Sequence, residues 1–291
     1  MIISSIKKNI FPFYHTISNQ RLPHIDNLYP LKSIDQFQRE LDYLQKNYQT
    51  ISLKELIRLE QENQYIPQNN YFHLSFDDGL KECLTIISPI LEERNLDATF
   101  FINPNFIGNK AIFYRYKVAL ILEKITDKSL KNKLLNCTIH DTKWIDYLVN
   151  ENQINLSDFD IYLNEKDIQE LINKGFSIGA HSMNHPYYRD ISLENQLQET
   201  EQSLAFLQET FNLDYRVFSF PFTDDNVSKN FFDSIELDLS FGTAGIKDDE
   251  LSNNIQRLPM DNCLMNPILF INKNRFKYYL QKIVNKHIVV H

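Results

Sequence analysis

The 291 residues, 43% apolar and 23% charged, can bury one large core or two modest ones, which excludes disorder and collagen-like repeats. The net charge of -8 comes from acidic residues interspersed with lysines, so nucleic acid is excluded as an expected partner. Cys83, Cys137 and Cys263 are odd in number and lack CxxC spacing, which argues against a disulfide framework or a cysteine zinc site. The opening "MIISSIKKNIFPFYH" has its lysines after a short apolar run and no small-residue cleavage site, so it does not read as a secretory leader. No run approaches the roughly 18 apolar residues of a membrane span. The expectation is a cytoplasmic protein without an integral membrane segment.

In chain order, "IFPFYH" is the first strand-like run and ends on His15. Phe37, Leu41 and Leu44 then keep a helical stripe, and Ser52 to Glu55 reads as a capping box opening the next helix. "YFHLSF" and "ATFFI" follow as strands, the first ending on Asp77-Asp78-Gly79. The stretch from about 104 to 164 is too long for a simple crossover. It carries helical periodicity in "FYRYKVALILEKI" and "TKWIDYLVNEN", so it is expected to be a helical insertion. Either it only adds packing or, through Trp144 and several tyrosines, it forms a lid or substrate-facing surface.

Asn164 precedes a helix with Ile168, Leu171 and Ile172 on one face and Gly175 at its stop. "FSIGAH", "VFSFPF" and "LSFGTA" are further strands. Phe276, Tyr279, Leu280, Ile283 and Val284 keep helical spacing, which predicts a last helix packed on the outside of the sheet. Strands alternating with helices predict a mainly parallel α/β architecture. With no repeat and no linker, one domain over 1–291 is expected.

Ligands in such folds bind at the carboxyl ends of strands. Asp-Asp-Gly alone is equally a turn sequence, and His181-x-x-x-His185 alone is equally a surface pair. Together at strand ends, one Asp and two His on a helical turn offer three ligands and an open position, the pattern of a catalytic zinc. Two adjacent like charges at Asp77-Asp78 then make sense. Asp78 is expected to bind the cation, and Asp77 to stay free as the general base for the attacking water.

"SFDDG" followed by "HSMNH" resembles the first two motifs of the polysaccharide deacetylases, the NodB-homology group or carbohydrate esterase family four. "FSFPFTD" resembles the third motif and "ATFFI" the strand after the first, so the resemblance spans roughly Ile10 to Asp261. It implies a distorted (β/α) barrel and one divalent metal ion, with zinc the expected ion, held by Asp78, His181 and His185. It further implies Asp77 as base and the backbone amide of Phe222 as oxyanion donor. The reaction implied is removal of an N-acetyl group from an amino sugar of a polysaccharide, lipopolysaccharide or glycan precursor. O-acetyl and formyl groups remain related alternatives.

Two positions depart from the family pattern. Ser219 stands where many members place an arginine that orients the base; Arg257 in "RLPMD" is the candidate substitute, the alternative being a surface arginine. The C-terminal histidine motif is replaced by "NKHIVVH", where His287 and His291 read as tail residues. "FPFYHTI" resembles a subgroup with an early histidine in the site, which makes His15 the candidate general acid, the alternative being a core histidine. His24, His73 and His140 have no motif support, and Tyr187 and Tyr188 either stack on a sugar ring or pack. These departures also allow a non-catalytic sugar-binding protein that keeps the fold.

Overall fold

Eight parallel strands form one sheet whose two edges are joined by a single run of chain. The structure is a computed structural model describing residues 8–62, 70–263 and 266–291. The first seven residues, part of the stretch read above for a leader, lie outside them. The described strands are β1 (Pro12–Tyr14), β2 (Gln49–Thr50), β3 (Tyr71–Phe72), β4 (Leu74–Phe76), β5 (Ala98–Ile102), β6 (Ser177–Ala180), β7 (Val217–Ser219), β8 (Leu239–Gly242), β9 (Asp248–Asp249), β10 (Asn254–Gln256), β11 (Leu258–Pro259) and β12 (Ile288–Val289).

The sheet order is β10-β8-β7-β6-β5-β4-β1-β11. Only Arg257 separates β10 from β11, so one extended run pairs with β8 on one side and β1 on the other. The Leu258 N–H donates to the Phe11 carbonyl at 2.8 Å, and the Arg257 N–H to the Gly242 carbonyl at 3.2 Å. This stitch makes a nearly closed barrel, as the family resemblance implied, within the parallel α/β architecture that the alternation of strands and helices predicts. Each of the six strand-like runs in the sequence contains one of β1 and β4 to β8.

Strands covered on both faces read as continuous apolar runs, and β5 shows why. Phe100 stacks on Phe76 and meets Phe176 toward the helices, whereas Phe101 packs with Val217, Leu239, Phe241 and Ile255. The described α-helices are α1 (Ile34–Asn47), α2 (Leu53–Gln61), α3 (Ser88–Glu93), α4 (Tyr114–Leu122), α5 (Lys128–Leu135), α6 (Thr142–Glu151), α7 (Glu165–Asn173), α8 (Leu193–Phe211), α9 (Lys229–Asp233) and α10 (Pro267–Ile283). Capping differs in one place from the sequence reading. Ser52 accepts from the Glu55 N–H, but the Glu55 carboxylate pairs with Arg58 instead of returning to the cap. Complete boxes open α1 at Ser33/Gln36 and α7 at Asn164/Asp167.

Helices α4 to α6 lie between β5 and β6 and share a small apolar cluster of their own, built on Val118, Ile121, Ile145 and Val149. Trp144 joins that cluster under the Lys133 ammonium, 4.2 Å from its ring centroid. Helix α10 forms and packs outside the sheet as expected, against α1, but not through the expected face. It docks through Ile271 and Tyr278, leaving Phe276, Tyr279, Leu280, Ile283 and Val284 exposed, because apolar residues occupy both its sides and only one can meet the body of the protein.

Behind β1, Lys32 Nζ lies 2.6 Å from Glu40 Oε1, and the Tyr14 hydroxyl donates to Glu40 Oε2 at 3.0 Å, all buried. Glu40→Ala is expected to lower unfolding stability by about 3–5 kcal/mol in urea titrations, because it strands the Lys32 ammonium. A change within about 0.5 kcal/mol would mean the pair is solvated.

Candidate active site

Backbone geometry at three strand ends builds the site. Asp77 is still held by the ladder, its N–H donating to the Tyr14 carbonyl at 2.9 Å. Asp78 then turns into the left-handed region at φ 72°, which swings its side chain away from that of Asp77. Gly79 continues the turn at φ 62°, where an added Cβ would come within 2.9 Å of Ile102 Cδ1. After β6, Ser182 and His185 are also left-handed, at φ 62° and 56°.

The two histidines therefore do not sit on a helical turn, as their spacing suggested. A loop brings them together, pinned by the Asn103 amide on the His181 and Ser182 carbonyls and by the His185 N–H on Ser182 Oγ at 3.0 Å. Non-glycine residues with positive φ carry a strain of about 1–3 kcal/mol each and cluster at functional sites.

Asp78, His181 and His185 are all buried, and one ligand atom from each lies within 4.8 Å of the others. Asp78 Oδ1 is 3.2 Å from His185 Nε2 and 3.5 Å from His181 Nε2, yet it makes no hydrogen bond among the described residues. The His181 Nδ1 lies 2.8 Å from the Ser219 carbonyl, which must accept its proton, so Nε2 is the ring atom turned toward Asp78. Burial pushes the Asp78 carboxyl up, but the His185 and His181 imidazoles outweigh it and hold the group well below the usual range. An orphaned, ionised carboxylate oxygen between two imidazoles fits a divalent cation with an open coordination position. The Tyr116 hydroxyl, from α4, donates to the other oxygen, Asp78 Oδ2.

Asp77 is gripped by Arg257, with Nη1 to Oδ1 and Nη2 to Oδ2 both 2.8 Å. The guanidinium also donates to Ser75 Oγ at 3.0 Å and Ser219 Oγ at 2.6 Å, and lies 4.3 Å from the Phe13 ring centroid. Arg257 is fully buried, so it is not the surface arginine that the sequence left open. Burial alone would raise the Asp77 carboxyl; the Arg257 charge opposite it brings it below the ordinary value.

His15 faces the same cavity, of about 210 Å³, whose lining includes Asp77, Asp78, His181, His185 and Phe222. His15 Nδ1 is 2.6 Å from Asp261 Oδ2. Burial disfavours the imidazolium, but the hydrogen bond to Asp261 and the charges of Asp261, Asp78 and Asp77 outweigh it and push His15 up to about 9. Phe222 follows Pro221 with φ 61°, and its N–H donates to no acceptor among the described residues. Its ring stacks on Tyr187 at 4.6 Å and 9°, at the cavity wall, whereas Tyr188 is core, bonded to Thr200.

Thus His15, Asp77, Asp78, His181, His185 and Phe222 line one cavity and Arg257 adjoins it through Asp77, whereas Tyr188 and Trp144 do not reach it. Tyr116 and Asp261 were missed as site residues: Tyr116 lies in the helical insertion, and Asp261 ends the "RLPMD" run that was read only for Arg257; the fold brings them beside Asp78 and His15. The remaining histidines lie elsewhere. His73 bridges Ile51 and Thr99 inside the core, where burial lowers it to about 4. His291 is not a loose tail residue, since its ring is buried against Asp249 at 3.1 Å, outside the cavity.

Residues 65–234, more than half of the chain, match the sequence model of the family described as polysaccharide deacetylase. The chain belongs to the polysaccharide deacetylase family. Among solved structures this family member is similar to the Streptococcus pyogenes deacetylase PplD in complex with acetate, at 16% identity and a TM-score of 0.61, over 92% of this chain and 98% of that one. It is also similar to IcaB from Ammonifex degensii, at 14% identity and a TM-score of 0.63, over 92% and 97%. A de-N-acetylase from Aggregatibacter actinomycetemcomitans superposes at 15% identity and a TM-score of 0.59, over 91% and 99%. At these identities the likeness shows the shared fold. No curated protein matches the sequence.

Proposed function

We propose that this deacetylase removes an N-acetyl group from an amino sugar of a polysaccharide, lipopolysaccharide or glycan precursor, with a divalent metal ion, zinc being the expected one. The observation that carries this reading is the single cavity in which Asp78, His181 and His185 converge between an arginine-held carboxylate and a carboxylate-held histidine. Its likeness to a de-N-acetylase supports the choice of an amide over an ester.

Asp78, His181 and His185 would hold the ion, which supplies Lewis-acid polarisation and lowers the pKa of water from 15.7 towards about 7. Asp77, ionised and fixed by Arg257, is placed to take the proton of the attacking water. The Phe222 N–H, which donates to no acceptor among the described residues, would stabilise negative charge developing on the acetyl oxygen. His15, protonated and oriented by Asp261, delivers a proton to the leaving amine. Because Arg257 occupies the place beside Ser219 and His15 faces the cavity, the departures that suggested a non-catalytic binder no longer favour that reading.

The test is metal content of the purified protein together with acetate release from N-acetylhexosamine oligomers, with and without chelator. Near one ion per chain with chelator-sensitive acetate release supports the reading; no metal under replete conditions refutes the ligand assignment. Two further outcomes are expected. A protonated acid is lost as pH rises through its folded pKa, and a cation at Asp78 removes part of the field that raises His15. The alkaline limb of kcat/KM should therefore lie below about 9, and His15→Ala should lose that limb along with most activity. Tyr116→Phe should weaken metal affinity about 10–100-fold, measured by competition with a chelating dye, because Asp78 loses the donor that orients it.

A further inference from the structure

We propose that the outer face of α10 is a docking surface for an anionic lipid bilayer, with the helix lying along the headgroup layer. Ile271 and Tyr278 anchor the helix to the protein. Leu269, Phe276, Leu280 and Ile283, separated by seven, four and three residues, share the opposite side and are 46–63% exposed. Tyr279 and Val284 flank them, 42% and 59% exposed. Single exposed apolar side chains need no explanation, but a helical stripe of six large ones marks a surface that something covers.

Charge identifies the cover. From Pro267 to His291 the chain carries Lys273, Arg275, Lys277, Lys282 and Lys286 and no carboxylate side chain, although the whole protein has a net charge of -8. Lys273 and Lys277, four and eight residues after Leu269, border the stripe on one side and are exposed, as are Lys282 and Lys286. Arg275 is turned inward, over the Tyr48 ring and against Asn70.

An apolar strip rimmed by lysines is complementary to a bilayer surface, where acyl chains receive Phe276 and Leu280 and lipid phosphates receive the ammonium groups. A second copy docked by a two-fold axis on the same face would set the lysine rim against itself. No helix among the described residues is long and apolar enough to cross a membrane, so α10 lies on the bilayer.

The test uses the full chain in co-sedimentation with vesicles of phosphatidylcholine alone and of phosphatidylcholine mixed equally with phosphatidylglycerol. Partitioning onto the anionic vesicles is expected to be at least about tenfold stronger and to fall at high salt. Leu280→Ser/Ile283→Ser and Lys273→Glu/Lys277→Glu should each lower it at least about tenfold, with thermal midpoints unchanged because these side chains lie at the surface. Equal partitioning onto both vesicles, partitioning onto neither, or double variants that partition like the parent would overturn the proposal. So would a dimer in solution that Leu280→Ser dissociates, since a second copy would then cover the face. Acetate release from soluble oligomers is independent of this face, which separates its failure from that of the deacetylase reading.

Discussion

Asp77→Asn is expected to retain metal near one ion per chain and to lose between about 10² and 10⁴ in turnover, measured as acetate release. The amide keeps an oxygen for Arg257 Nη1 but turns an NH2 toward Nη2, donor against donor, and cannot accept the proton of water. Stability falls as well, since the Arg257 charge is left buried without its counterion. A second change separates the two effects. Arg257→Met in the Asp77→Asn background removes the stranded charge and should recover much of the thermal midpoint without recovering turnover. Turnover within tenfold of the parent in Asp77→Asn would remove Asp77 from the reaction.

Arg257→Met alone should cost about 3–5 kcal/mol of unfolding free energy, because Asp77 then loses its cation inside the barrel. Arg257→Lys should fall between, since an ammonium cannot reach both carboxylate oxygens and the Ser75 and Ser219 hydroxyls from one plane. Urea denaturation reads the stability, and acetate release reads the placement of Asp77. A surface arginine would cost no more than about 0.5 kcal/mol. Such a value here would overturn both the burial of Arg257 and its positioning role.

The parallel strands were legible because burial on both faces leaves near-continuous apolar runs, as in "ATFFI". The run that closes the barrel was not. "NIQRLP" contains polar residues and a proline, and its two short pairings hold through backbone bonds to Gly242 and to Phe11, the latter near the other end of the chain. Asp78, His181 and His185 were legible because carboxylate and imidazole in this order resemble a known family. Their convergence rests on left-handed backbone at Asp78, Ser182 and His185, which spacing does not encode. Helix α10 shows the opposite limit. Periodicity located an apolar stripe, but periodicity does not say which of two apolar sides meets the protein.

The sequence by itself determined a parallel α/β chain of the polysaccharide deacetylase family, with Asp77, Asp78, His181 and His185 at strand ends, since local residue order records strands, turns and motif chemistry. The tertiary structure decided that Arg257 and not a neighbour of Ser219 holds Asp77, and that Asp261 and Tyr116 brace His15 and Asp78. The Arg257 and Asp261 contacts join residues 180 and 246 positions apart, which closure of the barrel brings within hydrogen-bond reach, whereas Tyr116 reaches Asp78 from the inserted helix α4.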